Sequence, residues 1–348
     1  TRIVGQAILL LEAARVLTIK GFTGGLAIES NTLSVDAWNT LIGGLPSAIN
    51  LVPASGIVEP IKAIKEPQEI DAIRRACALV DEACTHITEI VKTGMTEAEL
   101  AWRIEVYVRE RGAVRMGFDS IIGSGPNAAI IHGRAGNRGI GSSGEPEFLL
   151  CDFGCEIDGY NSDITRTFPV NGQFSKAQQA VYEVVLNAQY AAIEATKPGA
   201  RFNDPHDAAV KVLVQGLIDL KLLKMSLNEA LESGAYKRFY MHRTSHWLGM
   251  DVHDCGSYRD PAAKPEDGVA PHTSRKLEAG MVLTIEPGLY IRPGKGVPKQ
   301  FENIGIRIED DALVTQKGCD IYTADAPKTV AEIHATMKAH KKTSSKAA

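Results

Sequence analysis

Apolar residues recur at helical spacing over residues 3–15 and 34–43, and short apolar runs stand at 24–29 and 48–52. This alternation predicts a small α/β unit at the start of the chain. Pro60 and Pro67 then flank a charged stretch, VEPIKAIKEPQEIDAIRRA, whose acidic residues suit the first turn of a helix. A division there gives a short, or truncated, N-terminal α/β domain over 1–60 and a larger domain over 61–348.

Beyond the division the spacing predicts helices at 68–92 and 96–112, the second opened by Thr96 as N-cap with Glu99 completing a capping box. Strands are expected near 118–123, 148–154 and 163–170, helices at 174–197 and 204–222, and strands again at 281–292 and 304–315. Strand runs interrupted by helix pairs predict an α+β domain with a curved mixed or antiparallel sheet, not repeated βαβ units. No glycine-rich phosphate loop competes with this reading. The tail KAHKKTSSKAA is expected to be a disordered, solvated end.

Composition narrows the field. A chain of 348 residues with 44% hydrophobic content supports an ordinary packed core. A formal net charge of −4 offers no basic field, so neither nucleic acid nor an anionic membrane surface is an expected partner. The apolar run VGQAILLLEAA at 4–14 contains Glu12 and is followed by Arg15, which suits an amphipathic helix better than a signal segment or a membrane span. Six scattered cysteines without an export signal predict reduced thiols and a cytoplasmic location. Cys151 and Cys155, in CDFGC, lack a second pair at zinc-site spacing and are expected to be small buried hydrophobes.

The candidate chemistry is carried by acids in strand and turn settings, where solvation is less natural, because hard divalent cations need several oxygen donors. Asp152 and Asp163 lie on either side of a Gly-containing turn that would fold back as a hairpin. Glu286 ends an apolar strand just before Pro287, where burial is costly without a partner. Glu309 follows Ile304, Ile306 and Ile308 on the alternate face, shared with Arg307. Imidazoles come from MHRTSHWLGMDVHD, which holds His242, His246 and His253, and from His132 in AAIIHGRAG. The remaining five, His86, His206, His272, His334 and His340, have no comparable setting and are read as structural or surface residues. Singly, each acid could be a cap or an ion-pair partner and each histidine a hydrogen-bonded core residue; the joint pattern is what points to chemistry.

That joint pattern, GCEIDGYNSDITRTFPVNG, SHWLGMDVHD, EPGLYI and NIGIRIEDD in order, resembles the pita-bread metallopeptidase family of methionine aminopeptidase, prolidase and aminopeptidase P, and most closely its aminopeptidase P branch. The resemblance covers about residues 57–330. It implies an α+β pita-bread catalytic domain and two divalent metal ions, Mn²⁺ by family preference, with Co²⁺, Zn²⁺ or Fe²⁺ admissible. By resemblance Asp152 chelates one ion, His246 and Glu286 bind the other, and Asp163 and Glu309 bridge both. Glu286 is implied as proton acceptor, His132 and His253 as catalytic histidines, and His242, Tyr290 and Arg307 as the lining of a proline pocket. The implied activity is hydrolysis of the Xaa-Pro bond at peptide N-termini, with a homodimer or higher homo-oligomer expected. The alternatives are a strict Xaa-Pro dipeptidase using the same site, a scaffold relative that has lost its metals, and a creatinase-like enzyme that works without them. The retained acids argue against the last two.

Overall fold

The structure, a computed structural model, describes residues 2–29, 33–54, 56–260, 262–264 and 273–344. The chain divides into two units, Thr1–Lys62 and Ala63–Ala348. The first contains α1 (Arg2–Ile19), β1 (Gly24–Ile28), α2 (Val35–Gly44) and β2 (Ile49–Pro53). Ser34 caps α2 by accepting the Ala37 amide at 3.2 Å. β1 and β2 pair in parallel with Leu26 opposite Leu51, and α2 is the crossover between them. On α1, Ala14 is buried and Leu10 and Leu17 are half-buried on the same face, at the spacing of an amphipathic helix, while Leu11, Val16 and Ile19 are exposed. Among the described residues no helix is long and apolar enough to cross a membrane.

After α3 (Glu59–Ala63), the larger unit opens with α4 (Pro67–Ile90) and α5 (Glu97–Glu110). Pro67 occupies the first turn of α4, where its missing N–H costs nothing, and the Glu66 amide donates to Glu69 Oε2 at 2.7 Å in a capping box that sequence reading missed. Thr96 caps α5 as expected, accepting the Glu99 amide at 3.0 Å. Its reciprocal bond does not form, because Arg103 takes the Glu99 carboxylate at 2.8 Å one turn along.

The strands β3 (Arg115–Met116), β4 (Ile121–Ser124), β5 (Phe148–Phe153), β6 (Cys155–Ile157), β7 (Tyr160–Asn161) and β8 (Ile164–Pro169) follow. They form antiparallel sheets in the orders β4-β5-β8 and β3-β6-β7. The β6–β7 hairpin turns on Asp158 (φ 51) and Gly159 (φ 83), the left-handed pair that a two-residue hairpin requires. Helices α6 (Lys176–Ala195) and α7 (Asp204–Asp219) come next, then the short α8 (Leu227–Ser233). Gly216 of α7 faces Val184 of α6 so closely that a Cβ there would lie 2.4 Å from Val184 Cγ1, so only glycine permits this helix pair to approach.

The two last predicted strands each prove to be two. β9 (Val282–Ile285) and β10 (Gly288–Ile291) are separated at Glu286 and Pro287, and β11 (Ile304–Arg307) and β12 (Asp310–Val314) at Ile308 and Glu309. Proline has no N–H for a ladder, and the Glu309 amide leaves its own run to donate to the Thr165 carbonyl at 3.1 Å. Both breaks hold a candidate acid. β13 (Cys319–Ile321) pairs with β12, and α9 (Val330–Ser344) closes the described chain. Residues 338–344 of the expected disordered tail are therefore helical; 345–348 lie outside the described residues.

α4 packs against β6, β7 and β8 and α5 against β4, while α6 packs against β9, β10 and β11. Helices thus back each group of strands. Phe148, Phe153, Phe168 and Tyr182 are fully buried in the core between them. Each contributes roughly 1.5–3 kcal/mol by leaving water. Cys151 and Cys155 are buried in this core as expected.

Candidate metal centre

Antiparallel pairing of β5 with β8 sets Asp152 opposite Thr165. Asp163 sits one residue before β8, where its amide donates to Asp311 Oδ2 at 2.8 Å. On the other side, the extended segment 244–248 runs beside β9. The Thr284 amide donates to the His246 carbonyl at 3.0 Å and the Glu286 amide to the Thr244 carbonyl at 2.8 Å. Strand register thereby brings His246 and Glu286 to the same floor as Asp163, and the Thr165–Glu309 bridge adds Glu309.

Ligand atoms of Asp163, His246 and Glu309 all lie within 4.8 Å of one another. His246 Nε2 is 3.4 Å from Asp163 Oδ2 and 3.8 Å from Glu286 Oε1. Asp152 is held differently: Arg307 Nη2 donates to its Oδ2. Arg307 is buried and also donates to Thr165 Oγ1 at 3.0 Å and to Tyr290 OH at 2.8 Å.

The donor set fits a cation. His246 Nδ1 lies 3.0 Å from the Trp247 carbonyl, which can only accept, so Nδ1 carries a proton and Nε2 is the atom turned to the carboxyls. Nε2 and the carboxylate oxygens are then left to share a proton or a cation. Asp152 Oδ1 and Asp163 Oδ1 are buried without a hydrogen-bond partner, a costly condition unless something positive fills the gap. Burial, reinforced by Glu309, pushes the Asp163 carboxyl well above the carboxylate range. Burial and the same neighbour do likewise for Glu286, and burial with Asp152 pushes Glu309 up to about 7. These acids cannot all ionise together unless cations join them. Oxygen-rich ligation with one imidazole suits hard or borderline divalent ions.

The acids lie at the floor of a cavity of about 980 Å³. Its wall includes His132, His242, His253 and Arg307, with apolar surface from Phe118, Ile131 and Val252. His253 lies against the His246 ring at 4.1 Å between centroids. Burial, with His246 close by, lowers its pKa. His242 Nε2 meets Tyr290 OH at 2.8 Å and its Nδ1 is 3.6 Å from Glu286 Oε2. Burial and the Arg307 charge push the His242 pKa down to about 3, so it is neutral at neutral pH. Tyr290 is buried behind the wall and ties His242 to Arg307. Of the other histidines, His86 stacks on Tyr107, His206 meets Thr244 Oγ1 at 2.9 Å and His334 packs on Phe174. His272 and the side chain of His340 lie outside the described residues.

Residues 71–316 match the profile of metallopeptidase family M24. The chain belongs to that family. The M24 chain is 39% identical over 286 residues to the Xaa-Pro aminopeptidase of Escherichia coli (strain K12), covering 82% of this chain and 62% of that protein. It is 34% identical over 297 residues to the Xaa-Pro dipeptidase of Homo sapiens, covering 79% of this chain and 60% of that protein. It therefore spans less than two thirds of the length of these curated relatives. The solved structure of Pseudomonas aeruginosa aminopeptidase PepP superposes with a TM-score of 0.84 at 38% identity, over 92% of this chain and 72% of that one. The fold is accordingly the pita-bread fold, as the sequence resemblance implied.

Sequence reading overlooked the residues behind the acids. Thr165 Oγ1 donates to Glu309 Oε2 at 2.6 Å and accepts from Arg307. Asp311 receives the Asp163 amide and the Cys77 thiol at 3.2 Å. The fully buried Arg166 pairs with Asp310 at 2.7 Å and donates to the Glu309 carbonyl. A polar residue inside an otherwise apolar strand was the available signal; its partners, over 140 positions away, were not.

Proposed function

We propose that this M24 chain is a two-metal aminopeptidase that hydrolyses the bond preceding a proline at position two of a peptide. The observation that supports the reading best is the convergence of Asp163, His246, Glu286 and Glu309, with Asp152 beside them, on the floor of one cavity. Asp152, Asp163, His246, Glu286 and Glu309 would hold two divalent cations, and their oxygen-rich set favours Mn²⁺. When bound, the cations would polarise the scissile carbonyl and bring the pKa of a water toward neutrality.

The chain's own side chains divide the rest of the work. Glu286, on the cavity floor with its Oε1 3.8 Å from His246 Nε2, accepts the proton of the attacking water and returns it to the proline nitrogen as the C–N bond breaks. The neutral ring of His253, beside His246, and His132 on the cavity wall donate hydrogen bonds where negative charge grows on the carbonyl oxygen. His242, fixed by Tyr290, sets the wall against which a proline ring packs. A residue without an amide N–H loses nothing against such a surface.

The blocks SHWLGMDVHD and NIGIRIEDD favour the aminopeptidase over a strict dipeptidase. The test is to strip the protein with a chelator, restore Mn²⁺, and compare Xaa-Pro dipeptides with Xaa-Pro tripeptides and longer peptides. Metal-dependent release of the first residue from the longer peptides is expected. Cleavage confined to the dipeptide moves the assignment to a dipeptidase, and no cleavage of either sinks the peptidase reading.

A further inference from the structure

Arg243 follows His242 on the cavity wall and is exposed. Among the described residues it makes no ion pair and its side chain makes no hydrogen bond, unlike Arg307 deeper in the same cavity. Asp207 feels its charge but commits its carboxylate to Asn203 Nδ2 at 2.9 Å. The Arg243 carbonyl meets His242 Nδ1 at 2.8 Å, which anchors the arginine backbone to the ring that faces Glu286. The cavity is thus acidic at its floor and carries an uncommitted cation on its wall, next to His242.

We infer that Arg243 is a specificity-determining residue that selects peptides bearing a carboxylate just beyond the proline. The inference rests on the peptide reading above: with a proline ring against His242, the chain that follows passes Arg243. A guanidinium presents a planar fork that matches a carboxylate with two parallel hydrogen bonds. The carboxylate can be the C-terminus of a tripeptide or an acidic side chain at position three. Because Arg243 is solvent-exposed, the discrimination is modest, about two- to fivefold, and weakens as salt screens it.

The test compares kcat/KM of the Mn²⁺-loaded protein for Xaa-Pro-Ala as free acid and as amide, and for the amides of Xaa-Pro-Glu and Xaa-Pro-Gln. The same acid and amide peptides are titrated calorimetrically into the wild type, Arg243→Gln and Arg243→Lys. The wild type is expected to favour the carboxylate member of at least one pair, Arg243→Lys to keep part of that preference, and Arg243→Gln to bring the ratio to about one. Preference for the free acid alone assigns the C-terminus, and preference for the glutamate peptide assigns the side chain. Equal ratios in the wild type, or a preference that survives Arg243→Gln, overturns the inference. If no peptide is cleaved, the peptidase reading fails by itself and the calorimetric ratio still decides Arg243; no binding of either member rejects it as well.

Discussion

Thr165 has one small hydroxyl that serves two partners, accepting from Arg307 Nε and donating to Glu309 Oε2. Thr165→Val keeps the shape and removes both bonds, leaving a buried carboxylate and a buried guanidinium each short of a partner. We expect metal affinity or kcat to fall about 10- to 100-fold with little change in fold, measured by calorimetric Mn²⁺ titration alongside steady-state kinetics; unchanged values for both would remove Thr165 from the site. His206 offers a separate test. Burial, with the Arg243 charge, lowers its pKa to about 4 from an ordinary 6.5. The unfolded chain therefore takes up this proton first as pH falls, and stability drops between about pH 6.5 and pH 4, by up to about 3 kcal/mol from this group. His206→Asn should flatten that part of the denaturation-versus-pH curve; an unaltered slope would show that other groups govern it. At this scale the candidate acids were legible because an acid inside an apolar strand conflicts with burial. The hydroxyl that orients them was not, because threonine is common in strands for other reasons.

Between elements, Lys65 ties the start of the larger unit to the loop that carries His253. Its amide donates to the Gly280 carbonyl at 2.9 Å, and its ammonium pairs with Asp254 at 3.1 Å with both side chains almost fully buried. Gly249 allows this, since a Cβ there would lie 2.2 Å from Asp254 Oδ2. Lys65→Met strands a buried charge and should cost about 3–5 kcal/mol, much of it recovered when Asp254→Leu is added. Denaturant titration of both variants checks this, and a double variant no better than the single would refute it. The α6–α7 contact is equally specific: Gly216→Val forces the helices apart and should destabilise by about 1–3 kcal/mol, read from the midpoint of chemical unfolding. The types of the long helices and of the main strands were readable from apolar spacing, while the short β6–β7 hairpin, α8 and α9 were not. The strand breaks at Glu286–Pro287 and Ile308–Glu309 were not, because an interrupted run and a continuous one share the same alternation.

For the whole molecule, the floor of the cavity joins acids from strands far apart in the chain, and their mutual repulsion opposes folding until cations bind. Chelator-stripped protein should unfold at a temperature several degrees below the Mn²⁺-restored form, the gap widening with free metal concentration. Calorimetric scans across a metal series check this, and identical midpoints would argue against a metal centre. The order of the motif blocks, the short acidic and histidine-rich stretches and the absence of a basic field were all present in the sequence, and with them the family and the class of chemistry. What required the tertiary structure is which atoms meet: that Arg307 pairs with Asp152 at the cavity, that Tyr290 stands behind His242, and that Arg243 has no side-chain partner among the described residues. Periodicity and motif spacing are local properties and survive in one dimension. Hydrogen-bond partners and the exposure of a charge depend on strand register and helix packing across more than a hundred residues, so only the folded chain decides them.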